Sequence, residues 1–152
     1  MIRQALVSAL HLSALALGFA SVVARGMRLR DLRRSPGDTA VRASLLRADN
    51  VWGIAALLWL STGLYRLLAG VDKTPAFYMR NGFFALKMGL FLLVFALEIV
   101  PMVTFVRWRL SKGGTPAGPP LDTLIRLNDA EVALVLAIPF TAAFMARGVW
   151  LF

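Results

Sequence analysis

The sequence predicts an all-α fold, an integral membrane four-helix bundle, and three observations carry that prediction. Four apolar runs, each about twenty residues long, fill most of the 152-residue chain: Ile2–Ala24, Val51–Gly70, Gly82–Val106 and Ala130–Phe152. A bilayer core roughly 30 Å thick needs about twenty residues at about 1.5 Å each, so every run is long enough to span it. Hydrophobic residues make up 59% of the chain, and no segment between the runs is long enough to bury a core of its own. The arginines, finally, fall almost entirely between the first and second runs and between the third and fourth.

The first run has Arg3 before it and small residues at its end (Ala20-Ser21-Val22-Val23-Ala24), which is the outline of a signal peptide. It exceeds the usual apolar region of about 7–15 residues, and Arg25, Arg28, Arg30, Arg33 and Arg34 follow at once, so a retained helix is expected. Residues 25–50 read as a basic cytoplasmic loop. Within it Ser35-Pro36-Gly37-Asp38 is a turn, and Asp38 or Thr39 caps a helix through Val41, Leu45 and Leu46 that continues into the second span. A short loop with Lys73 and Arg80 leads to the third span. Residues 107–129 read as a second cytoplasmic loop, flexible through Gly113-Gly114-Thr115-Pro116-Ala117-Gly118-Pro119-Pro120. The positive-inside rule places both loops in the cytoplasm and both termini outside, as in a bacterial inner membrane.

The net charge of +9 is accounted for by these loops, which set topology, so no nucleic-acid partner is expected. The expected partners are the bilayer itself and anionic lipids at the basic loop. Ala14, Gly18 and Ser21 permit close helix approach, which makes a homo-oligomer or a membrane-protein partner plausible. The chain has no cysteine, which excludes disulfides, iron–sulfur clusters and thiolate metal sites. No Gly-rich phosphate loop, nucleophile elbow or pair of histidines four apart occurs in it.

Ionisable groups at bilayer depth are costly, so each is a functional candidate. His11 lies roughly 13 Å in from the outer start of the first span, and Arg66 roughly 22 Å up from the inner start of the second. Lys87 and Arg147 each lie roughly 7–8 Å below the outer surface. One histidine and three cations are therefore expected to converge in the outer half of the bundle. Glu98 shares a face with Lys87, while Asp49, Asp129 and Glu131 stand at the cytoplasmic edges.

The chain resembles the DUF2214 family of uncharacterised bacterial four-helix membrane proteins over nearly its whole length. The resemblance rests on Leu10-His11-Leu12, on Arg47-Ala48-Asp49 leading into Gly53-Ile54-Ala55-Ala56-Leu57-Leu58, and on Thr62-Gly63-Leu64-Tyr65-Arg66. It continues through Asn81-Gly82-Phe83-Phe84-Ala85-Leu86-Lys87, Phe105-Val106-Arg107-Trp108-Arg109 and Met145-Ala146-Arg147-Gly148. More distantly, the His in the first span and the Lys in Ala85-Leu86-Lys87-Met88 are similar to HemJ-type protoporphyrinogen oxidases and CopD copper-resistance membrane domains. That likeness implies haem b and a membrane oxidoreductase. The further His of the HemJ-type pattern is replaced here by Phe84 or Ala85.

Three functional readings follow. In the first, His11 ligates haem b through an imidazole nitrogen, and Arg66, Lys87 and Arg147 bind its two propionates. In the second, the protein is a copper or small-solute permease component, with His11, Met88 and Met145 as soft metal ligands. In the third, it is a membrane scaffold or accessory subunit, working through its basic loop.

Overall fold

A computed structural model describes residues 2–71, 73–111 and 118–150. It is an all-α membrane bundle. Helix α1 spans Ile2–Arg34, α2 Thr39–Leu68, α4 Gly82–Leu110 and α5 Leu121–Ala146, with one short helix, α3 (Pro75–Met79), between the second and third spans. All four long helices are long and apolar enough to cross a membrane.

The expected end of the first span at Ala24 is not where the helix stops. α1 continues ten residues further, to Arg34, because the arginine-rich segment contains good helix formers, and the breaker is the Ser35-Pro36-Gly37 turn. Gly37 takes a φ of 92°, which suits a residue without a Cβ. Asp38 then caps α2, its carboxylate accepting from the backbone N–H groups of Ala40 (2.8 Å) and Val41 (3.1 Å). Residues 25–50 are thus two helical ends joined by a tight turn, not a loop. α5 likewise starts at Leu121, ahead of the expected 130, on Pro120. Of the connector from Gly113 to Pro120, residues 113–117 lie outside the described residues.

α1 packs along α2, α4 packs along α5, and α1 joins the two pairs through α5; α2 and α4 stand apart and leave a seam between them. Gly18 is needed at the α1–α2 crossing, where a Cβ would lie 3.2 Å from the Trp52 ring. Ala14, Gly18 and Ser21, which suggested contact between chains, are buried inside this one.

The interior has two apolar clusters. One, toward the α3 end, holds Ala14, Val22, Trp52, Trp59, Val94, Val135 and Ile138; the other, toward the Ser35-Pro36-Gly37 turn, holds Leu29, Leu32, Leu45, Phe105, Leu124 and Ile125. Every long helix runs through both, and every one carries a polar side chain between them. At the α3 end, the turn after α5 is pinned to the start of α4. Asn81, 1% exposed, donates to the Val149 carbonyl and accepts from the Phe84 N–H, while the Gly82 N–H donates to the Trp150 carbonyl.

Candidate functional site

Three cavities follow the α2–α4 seam, and the one beside α3 collects most of the expected site residues. It measures about 470 Å³ and is lined by His11, Arg66 and Lys87, joined by Lys73 and Tyr78. Its remaining walls are apolar, among them Leu12, Leu15, Trp59, Phe84 and Ile138. Arg66, Lys87 and Tyr78 are each engaged in interactions of their own. Arg147 is not part of this wall. It ends α5 as the capping residue and is exposed, so the expected fourth member of the cluster stands at the surface. The reason lies in helix register: at about 100° per residue, position 147 is half a turn from the buried Ile138, on the same side as the exposed Phe140, Ala143 and Phe144.

His11 is 8% exposed and both its ring nitrogens are occupied. The Trp59 indole N–H donates to Nε2 at 3.1 Å, and Nδ1 lies 2.9 Å from the Thr62 hydroxyl. An indole N–H only donates, so Nε2 must carry a lone pair and the proton must sit on Nδ1. Thr62 accepts that proton's hydrogen bond and passes its own hydroxyl to the Leu58 carbonyl at 2.6 Å. The imidazole is therefore a neutral relay between two turns of α2. Gly63 makes room for it, since a Cβ there would come 3.1 Å from the His11 ring.

This arrangement does not fit His11 as an axial haem ligand. Iron needs the Nε2 lone pair, which Trp59 holds, or the Nδ1 position, which bears the proton. The metal-ligand assignment of His11 meets the same obstacle, and among the described residues no group of three His, Asp or Glu side chains is placed to hold a metal ion. Met88 and Met145 line different cavities.

The second polar centre, between the two apolar clusters, was not expected as a site. Arg25, read from sequence as the first residue of a loop, is 0% exposed and lies at the middle of the bundle. Its guanidinium has five N–H donors and all are used. Nε donates to Asn128 Oδ1 (2.8 Å) and NH1 to Asp49 Oδ1 (3.0 Å) and Glu98 Oε1 (2.8 Å). NH2 donates to Glu98 Oε2 (2.9 Å) and to Glu131 Oε2. Three carboxylates from three helices thus converge on one arginine from the fourth. The Trp52 and Phe105 rings flank the guanidinium at 6.0 and 5.8 Å, and the Trp52 indole N–H donates to Glu98 Oε2. Arg109 closes the layer from the side of the Ser35-Pro36-Gly37 turn with a 2.5 Å bond to Asp49 Oδ2.

Arg30 pairs with Asp129 at 2.7 Å and Arg33 with Asp122 at 2.6 Å, both on the exposed α1–α5 face. Such pairs contribute about 1 kcal/mol or less each.

A signal for Arg25 exists in the sequence. His11, Gly18, Arg25 and Leu32 recur every seven residues, which keeps them on one helix face. The same face that buries His11 and Gly18 must carry Arg25 into the bundle if the helix does not end at Ala24.

Fold and interior together define an integral membrane protein of four spans with two polar centres on one seam. The chain matches the family model described as predicted membrane protein (DUF2214) over residues 3–150, and it belongs to that family. No curated protein and no solved structure matches it.

Proposed function

We propose that the protein binds a small, partly apolar anion in the cavity beside α3. The observation that carries this reading is the cavity itself: about 470 Å³, in the range of small-molecule sites, with apolar walls and Arg66, Lys73 and Lys87 on its lining. Cations set in an apolar wall favour a carboxylate or similar group, which they orient by charge-assisted hydrogen bonds. His11 serves as a fixed part of the wall, not as a ligand to metal. Haem b fits this reading only as a dicarboxylate, with no bond from His11 to its iron.

Titration of protein in nanodiscs with protoporphyrin IX and with its dimethyl ester tests this. The acid is expected to bind more tightly than the ester. Lys87→Met should weaken the acid about tenfold, or roughly 1.4 kcal/mol, and leave the ester unchanged; Lys87→Arg should be milder. Ferric haem should give the same spectrum with and without His11→Ala. Equal binding of acid and ester, or no effect of Lys87→Met, overturns the reading.

We further infer that the protein sits in a bacterial inner membrane with both termini periplasmic. Support comes from the exposed arginines Arg47, Arg107 and Arg126 gathered at the end of the bundle opposite this cavity. A reporter fused after residue 38 should report cytoplasm and one after residue 152 periplasm; the reverse result sinks the orientation. Anionic lipid headgroups are the expected neighbours of those arginines.

A further inference from the structure

The polar layer around Arg25 does not balance in charge. Arg25 and Arg109 supply two positive charges, while Asp49, Glu98 and Glu131 supply three negative ones if all are ionised. Asn128 is neutral, and Arg30 and Arg33 are matched elsewhere, by Asp129 and Asp122. One negative charge is left over in the interior of a membrane protein, where an uncompensated ion is strongly disfavoured.

Two further observations locate the excess. Glu131 is 0% exposed, and its Oε1 has no hydrogen-bond partner among the described residues. A bare anionic oxygen in that position is far costlier than a neutral acid's. Glu98 and Glu131 also present their Oε2 atoms to the same guanidinium nitrogen, NH2 of Arg25, so the two carboxyl groups lie side by side. Two ionised carboxylates have only acceptors to offer each other and repel at this range, and a proton held between them removes that repulsion.

We propose that Glu98 and Glu131 hold one proton between them, making the Arg25 layer a proton-binding site inside the bundle. A metal cation is a poorer occupant, because it would sit against the Arg25 guanidinium and the carboxylates do not converge as a ligand set. The site is not sealed. Glu98 and Asp49 line a cavity of about 430 Å³ between α2 and α4, which shares Trp59, Leu60 and Phe91 with the cavity above it. Glu98 is therefore the member that exchanges the proton, and Glu131, wholly enclosed, is the member that retains it.

Infrared spectroscopy of the full chain in nanodiscs at neutral pH reads the proton directly. The wild type should show a protonated-carboxyl C=O band that shifts in D₂O, equivalent to one group per chain. Glu131→Gln and Glu98→Gln should each abolish it, because two arginines then face two carboxylates. The apparent melting temperature gives a second reading. The native state holds a proton that the unfolded chain releases near neutral pH, so wild-type stability falls as pH rises, and the Glu131→Gln protein should be flatter over that interval. Absence of the band in the wild type overturns the proposal, as does a band that survives both Gln variants. So does a Glu131→Gln chain that fails to fold, since Gln copies the neutral acid's shape. Displacement of the band by sodium would assign the site to a cation instead.

Discussion

Arg25→Leu should cost the protein about 3–5 kcal/mol, enough to abolish or severely reduce folded material in the membrane. A total stability of roughly 5–15 kcal/mol leaves little margin for a loss of that size. The substitution removes five hydrogen bonds at once and leaves Asp49, Glu98 and Glu131 facing one another inside the bundle. Arg25→Lys keeps the charge but offers three donors in place of a planar fork of five, so it should fall between wild type and Leu. The measurement is yield and apparent melting temperature in detergent. A double substitution separates structure from charge. Glu98→Gln with Glu131→Gln, added to Arg25→Leu, should recover a large part of the loss, because most of the cost is unpaired charge and not missing contact. If Arg25→Leu alone melts like wild type, the layer does not hold the bundle together.

Four spans were legible in the sequence because length and apolarity are enough to specify a membrane helix. The capped start of α2 at Asp38 was legible for a local reason, the chemistry of one side chain and two backbone N–H groups. His11, Arg66 and Lys87 could be brought to one level by counting residues along straight helices, and they do line one cavity. Two things could not be reached in that way. The imidazole's partners, Trp59 and Thr62, depend on how α1 is rotated against α2, which no single helix encodes. Arg25 was hidden by a different cause: next to a membrane span, an arginine in water and an arginine in the core look alike in sequence. The seven-residue spacing from His11 and Gly18 gives the buried face only once the helix is known to run past Ala24, and the partners Asp49, Glu98 and Glu131 on other helices are a tertiary matter.

The close approach of α1 to α5 yields the second large effect. Gly26 follows Arg25, and a Cβ there would stand 2.5 Å from Nδ2 of Asn128. That amide cannot retreat cheaply. It is 1% exposed, its Nδ2 donates to the Val22 carbonyl at 3.2 Å, and its Oδ1 accepts from Arg25 Nε. Gly26→Ala gains about 0.8–1.0 kcal/mol in helix propensity, yet overpacking at such a contact costs about 1–3 kcal/mol. Moving Asn128 also breaks two buried hydrogen bonds, at about 1 kcal/mol each. The net expectation is a loss of roughly 2–4 kcal/mol, read as a lower apparent melting temperature. Asn128→Ala alone should also destabilise, since it leaves the Arg25 Nε donor unpaired and removes the second hydrogen bond to the Val22 carbonyl. In that background, however, the obstruction is gone, and Gly26→Ala should become neutral or mildly stabilising. The reversal of sign is what a propensity effect alone could not produce, because propensity does not depend on residue 128. Equal effects of Gly26→Ala in both backgrounds would mean that α1 and α5 lie further apart here than the contact of Gly26 with Asn128 implies.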